Sequence, residues 1–191
     1  MTRAPSARHA HLTREAILAS ALALIERDGL AEFSIRRLGA ALGCEPMSLY
    51  HYFPSKTRLE DALADGWLSS VDANPPGGDP VGRLRAFARS YLAHARRSPN
   101  LFPLIAAHRL DSPAGIRFRE QGLALARAAV RDDRRAAHSF QVLHDYLTGA
   151  AMRAAQPEWS QGAFEQGLAS LLGATDAPTP QLPKPVIHPK R

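Results

Sequence analysis

Phe33–Arg58, FSIRRLGAALGCEPMSLYHYFPSKTR, is the stretch whose reading decides the fold. It reads as two short helices joined by a tight turn. Ser34 is a good N-cap, and Ile35, Leu38 and Leu42 recur behind it at helical spacing. Gly43 tolerates positive φ and stops the first helix. Pro46 fits the first turn of a second helix, where its missing N–H costs nothing. That helix runs roughly from Pro46 to Tyr52, and Pro54 prevents its continuation. Two helices at a steep angle around a Gly-containing turn form a helix-turn-helix unit, whose second helix enters the major groove of DNA.

Working outward, Thr13 caps a preceding helix that ends at Asp28-Gly29, with Ile17, Ala21, Leu24 and Ile25 as its buried stripe. Phe33, Ile35, Leu38, Leu42, Leu49 and Phe53 complete a small three-helix core. Ser55 caps a fourth helix carrying Leu59, Leu63 and Trp67 on one face. It meets no Gly or Pro before Gly66, so it joins this unit rigidly to the rest of the chain. Asn74-Pro75-Pro76-Gly77-Gly78-Asp79-Pro80 is the strongest break in the chain. Beyond it the pattern gives five more helices, opened near Val81, Pro99, Pro113, Asp133 and Ser160, with no convincing strand alternation. The fold class is all-α. The expected organisation is a basic arm at 1–12, the helix-turn-helix module at 13–54, a connecting helix at 55–73, a second helical domain at 79–175 and a Pro-rich tail at 176–191.

Composition narrows the function classes. Lys and Arg outnumber Asp and Glu by 24 to 18, and the sequence pI is about 10.1. This balance suits a polyanionic partner. Arg3, Arg8, His9 and His11 in the arm would add electrostatic contact with DNA. Cys44 is the only cysteine, which excludes an intrachain disulfide and a cysteine-based zinc finger. No apolar run approaches the roughly 20 residues that cross a bilayer, and no secretory h-region opens the chain, so a cytoplasmic protein without membrane contact is expected.

Leu49-Tyr50-x-Tyr52-Phe53-x-x-Lys56, preceded by Leu38-Gly39-x-x-Leu42-Gly43 and by the helix from Thr13 to Asp28, resembles the tetracycline-repressor (TetR) family of bacterial transcription regulators. The resemblance covers about residues 12 to 60. It implies that the second helix of the unit, and the start of the helix before it, face DNA. Ser34 would then donate to a phosphate. Arg36 would contact a phosphate or read guanine with its two-pronged guanidinium, a pairing worth about 1–3 kcal/mol of discrimination. Tyr50 and Tyr52 would clamp phosphates through their phenols, with an internal role for Tyr52 as the alternative. Lys56 matches the family's phosphate-contacting lysine at a helix N-terminus. The base-reading positions would be Glu45, Pro46, Met47, Ser48 and His51. Glu45 stands where Ser or Thr is commoner. It could accept from a cytosine amino group or answer the helix dipole.

A single module touches too little DNA for tight specific binding, so a homodimer on a pseudo-palindromic double-stranded operator is expected. Gly149-Ala150 offers a notch for close approach, and Phe164, Leu168 and Leu172 form an apolar band that a monomer would leave partly exposed. The resemblance implies that the last two helices pair with their twins. A pocket for a small-molecule effector would be lined by Phe87, Tyr91, His94, Phe102, Ile105, His108, Phe118, Phe140 and His144, a mixture of aromatic walls and polar groups. An ordinary core with partly buried histidines is the competing reading. These histidines lack i,i+4 ligand spacing, so no metal is expected, and no cofactor motif is present. No nucleophile–base–orienter set is apparent: His144 and Asp145 are adjacent and point in different directions on a helix. The implied function is that of a ligand-responsive regulator, a repressor in its simplest form. The alternatives are a helical ligand carrier or interaction protein that no longer binds DNA, and an enzyme.

Overall fold

The computed structural model describes residues 12–72, 75, 78–130 and 132–173, and every regular element among them is helical. The order is α1 (Arg14–Asp28), α2 (Ile35–Leu42), α3 (Pro46–Tyr50), α4 (Lys56–Ser70), α5 (Pro80–Arg97), α6 (Phe102–Ala107), α7 (Pro113–Ala129), α8 (Asp133–Arg153) and α9 (Gln161–Gly173). The expected basic arm up to residue 11, and the tail from 174 on, lie outside the described residues.

Helix starts follow the capping chemistry. The side chains of Thr13, Ser34, Ser55, Asp79, Ser112 and Asp132 each accept the N–H three residues on, at 2.8–3.3 Å. Each such cap stabilises its helix by about 1 kcal/mol. Gly43 adopts the left-handed conformation, φ 66° and ψ 29°, and ends α2. Gly39 is required for a different reason. A β-carbon there would meet the Cys44 carbonyl oxygen at 2.9 Å, so only glycine lets the turn fold back onto α2. Two local details depart from the sequence reading. A 3-10 turn, Leu30–Glu32, precedes α2, and α3 stops at Tyr50, leaving His51 and Tyr52 in the turn after it.

α2 packs on both α1 and α3, with α4 closing against α1. Ile17, Ile25, Leu38, Leu49 and Leu59 are fully buried there. In the second part α7 packs against α4, α5 and α8, while α9 lies on α5 and α8. The two parts share one continuous core through Trp67 of α4. Polar ties reinforce the joint. The Glu26 carboxylate at the end of α1 accepts from the Asn100 N–H at 3.3 Å and the Leu101 N–H at 3.0 Å, just before α6. Asn100 Nδ2 donates to the Glu26 carbonyl at 2.7 Å, and Ser112 donates to Asp65 of α4.

The apolar band expected on the outside of α9 is inside. Phe164, Leu168 and Leu172 are all buried within the single chain, Leu168 at 0% exposure. Their four-residue spacing gives one stripe, and α5 and α8 of the same chain cover it. Gly167 allows the close approach: its β-carbon would fall 2.3 Å from the Tyr146 hydroxyl, which donates to the Phe164 carbonyl at 2.8 Å.

Candidate functional site

The helix-turn-helix face is built from what the small core leaves outside. Leu49 is the buried side of α3, so Met47 projects into solvent at 71% exposure and Tyr50 at 38%. Glu45 and His51 are also exposed, while Pro46 and Ser48 are half-buried. Glu45 occupies the N-cap position of α3 but makes no side-chain cap, so its carboxylate is free to face a partner. Ser34 caps α2 by accepting from the Arg37 N–H at 3.3 Å, which leaves the hydroxyl proton available to a phosphate.

The two adjacent arginines divide sharply. Arg37 is held by Asp28 at 2.5 Å and Glu32 at 2.9 Å, so it staples α2 to the end of α1. Asp28 itself is kept below the usual carboxylate range, chiefly by its hydrogen bond from Arg27. Arg36 is exposed, with no ion pair or side-chain hydrogen bond among the described residues. Lys56, the first residue of α4, is held loosely, 3.3 Å from Glu60 and 5.6 Å above the Phe33 ring.

Tyr52 does not join this face. Its hydroxyl donates to the Leu12 carbonyl at 2.5 Å, and Arg14 donates to the Tyr52 carbonyl while stacking 4.1 Å over Phe53. The turn after α3 carries Tyr52 away from the helix and onto the start of α1, so its phenol anchors the module internally.

In the second part, seven of the nine residues expected to line a pocket are well placed in the interior. Phe87, Tyr91, Phe102, Ile105, Phe118 and Phe140 are buried, and His144 is half-buried against them. Tyr91 packs on Trp67, Phe102, Phe118 and His144 with centroids 5.3–6.1 Å apart, and Phe140 joins through His144 at 6.2 Å. Spacings of this size are favourable edge-to-face or tilted contacts. Burial pushes the Tyr91 phenol up to about 12, with its hydroxyl 3.4 Å from Thr148 Oγ1. Burial also holds His144 below the ordinary imidazole range.

The other two expected lining residues, His94 and His108, lie elsewhere. His94 leans on the outer side of Trp67 at 4.8 Å. Ser70 gives its one proton to the Trp67 carbonyl, so His94 Nε2 donates to Ser70 Oγ at 2.7 Å and Nδ1 accepts from Arg97. Burial first, and Arg97 second, lower its pKa. His108 faces α4, 3.6 Å from Asp61. His94 on α5, His108 just after α6 and His144 on α8 thus face different surroundings, and no metal-ligating cluster occurs among the described residues. Glu26, Asp65 and Ser112 were not singled out from sequence as joining the two parts. Nothing in their local spacing marks them, because each partner lies 47 or more residues away.

An exposed helix-turn-helix, joined to an aromatic-cored body through α4 and through the Glu26 tie from α1, defines a two-part helical protein. Residues 17–63, the helix-turn-helix part of the chain and the start of α4, match the model of bacterial regulatory proteins, tetR family, and in that part the chain belongs to it. The HTH-type transcriptional repressor DrrR1 of Streptomyces coeruleorubidus is 32% identical over 143 residues, 73% of this chain and 53% of that protein. The chain thus spans about half the length of the curated relatives it matches. Streptomyces coelicolor ActR in complex with (S)-DNPA superposes with a TM-score of 0.73 at 22% identity, over 87% of this chain and 98% of that one. BioQ with its double-stranded DNA operator gives 0.72 at 22%, over 86% and 98%. At that identity these two likenesses establish the fold.

Proposed function

We propose that this chain is a ligand-responsive transcriptional regulator that binds a pseudo-palindromic operator as a homodimer and is released from it by a small molecule. The observation that carries the reading is the unshared face of the helix-turn-helix. Arg36, Tyr50, Met47 and His51 are exposed together around α3, with Lys56 at the start of α4, while Arg37 is fully occupied inside the module. Arg36 and the α3 side chains read bases, and Ser34, Tyr50 and Lys56 hold phosphates. A repressor is the simplest mode, in keeping with the name of the relative DrrR1. The DNA operator bound by BioQ and the (S)-DNPA bound by ActR give the two kinds of partner.

Residues 13–54 serve as the reading head, 55–73 as the connector and 79–175 as the sensor and dimerisation domain. The twin meets the outward side of α8 and α9. There Gly149 has open space at its β-carbon, Met152 is 45% exposed, and Ala163 borders a cleft of about 460 Å³ with Gly149 and Ala150. A small molecule displacing rings beside Tyr91 acts on Trp67 and Phe102, and so on α4 and α6. A ligand that favours the non-reading arrangement draws the population off the operator. No described helix is long and apolar enough to cross a membrane, and the proposed site of action is the cytoplasm.

The test is selection of genomic DNA fragments by the purified protein. The reading expects recovered fragments to share a two-fold-related motif with half-sites about one helical turn apart, or a multiple of it. Recovery of unrelated fragments, lost equally to competitor DNA, would leave the carrier reading in its place.

A further inference from the structure

A cleft of about 240 Å³ opens on the surface where the start of α4 meets α6 and the turn after it. Its walls include Glu60 and Asp61 of α4, Leu104 and Ala107 of α6, and His108 and Asp111 of the turn. The His108 side chain is only 9% exposed, and its two ring nitrogens are served unequally. Nε2 stands 3.6 Å from Asp61, whereas Nδ1 is buried with no hydrogen-bond partner. In the neutral ring the proton sits on Nε2, facing the carboxylate, so Nδ1 is an acceptor that lacks a donor. A buried acceptor in that state is costly, and a donor that reaches it recovers the loss.

The three carboxylates at the cleft are acceptors as well. Each has a basic neighbour: Lys56 lies 3.3 Å from Glu60, Arg58 3.7 Å from Asp61 and Arg109 3.0 Å from Asp111. In every pair the carboxylate is the less exposed member, and the cation stands further out in solvent. Surface pairs of this kind hold weakly, so another cation can take the place of the basic side chain. These acids and His108 do not form a metal-ligating cluster. They share the cleft with the apolar side chains of Leu104 and Ala107. Separated acceptors beside an apolar wall suit a guest with two N–H-donating cations joined by methylenes better than a compact ion.

We propose that this cleft binds an aliphatic diammonium ion. One ammonium donates to His108 Nδ1, the carboxylates of Glu60, Asp61 and Asp111 supply the countercharge, and the methylenes lie on Leu104 and Ala107. The site lies apart from the aromatic interior, and binding there does not depend on the DNA-reading role.

The test is isothermal titration calorimetry of the full chain with 1,4-diaminobutane at low salt. The diamine should saturate at one site per chain. It should bind about tenfold or more tighter than butylamine, which brings one charge, and than magnesium ion, which brings two at a single point. Asp61→Asn and His108→Phe should each weaken it about tenfold. Asp111→Asn, at a well-exposed side chain that the fold does not need, should weaken it severalfold. Glu120→Gln, at an exposed acid on α7 outside the cleft, should leave binding unchanged. Circular dichroism checks that the variants fold, and a collapsed His108→Phe leaves the two aspartate variants to decide. No saturable binding, magnesium binding as tight as the diamine, or wild-type affinity in folded Asp61→Asn or His108→Phe would overturn the proposal. So would a loss in Glu120→Gln equal to that in Asp111→Asn, which would mark attraction to the charge of the whole surface.

Discussion

Arg36 and Arg37 are neighbours with opposite assignments, and the difference comes from partners rather than from residue type. Asp28 and Glu32 take both prongs of Arg37, so Arg37→Ala should lower thermal stability before it alters DNA sequence preference. Arg36→Ala should leave the melting temperature unchanged. It should cost about 1–3 kcal/mol at one operator position and relax the preference there, as a binding series on singly substituted operators would measure. An unchanged preference would remove Arg36 from base reading. Tyr52 shows where residue-level reading stopped short. The motif placed it beside Tyr50, but its hydroxyl partner is the carbonyl of Leu12, 40 residues earlier. A motif gives the side chain, and only the packed chain gives its direction.

At the scale of elements, most of the structure was legible because helix ends are local. Six capping side chains each reach an N–H three residues away, and Gly43 ends α2 with a positive φ that its residue type announces. What was not legible depends on distant packing. The Gly39 approach to Cys44 is one case, and Gly39→Ala should destabilise by about 1–3 kcal/mol, measured by urea denaturation, because backbone and not a flexible side chain must give way. The tie from Glu26 to the start of α6 is another. Glu26→Ala leaves the Asn100 and Leu101 N–H groups without their carboxylate and should cost about 1 kcal/mol or more. It should also loosen α6, read as faster hydrogen exchange at residues 102–107. Full stability and protection in that variant would argue against the tie.

At the scale of the molecule, the spacing of Phe164, Leu168 and Leu172 was read correctly as a stripe, but its direction was not. Periodicity marks a covered face without saying whether the cover comes from the same chain or another. Leu168 is at 0% exposure inside one chain, so a charge there unfolds the protein and reports nothing on assembly. Gly149→Trp is the better probe, since a β-carbon at Gly149 meets open space within its own chain. It should yield folded monomers in sedimentation at micromolar concentration, and a dimer that survives would place the twin elsewhere. The central claim is that the face around α3 grips duplex DNA, and the salt dependence of binding tests it most directly. Affinity for a selected operator should fall linearly on a double-logarithmic salt plot, and Lys56→Ala should flatten the slope by about one unit on operator and random DNA alike. An unchanged slope for Lys56→Ala, or a wild-type affinity indifferent to salt, would contradict the account.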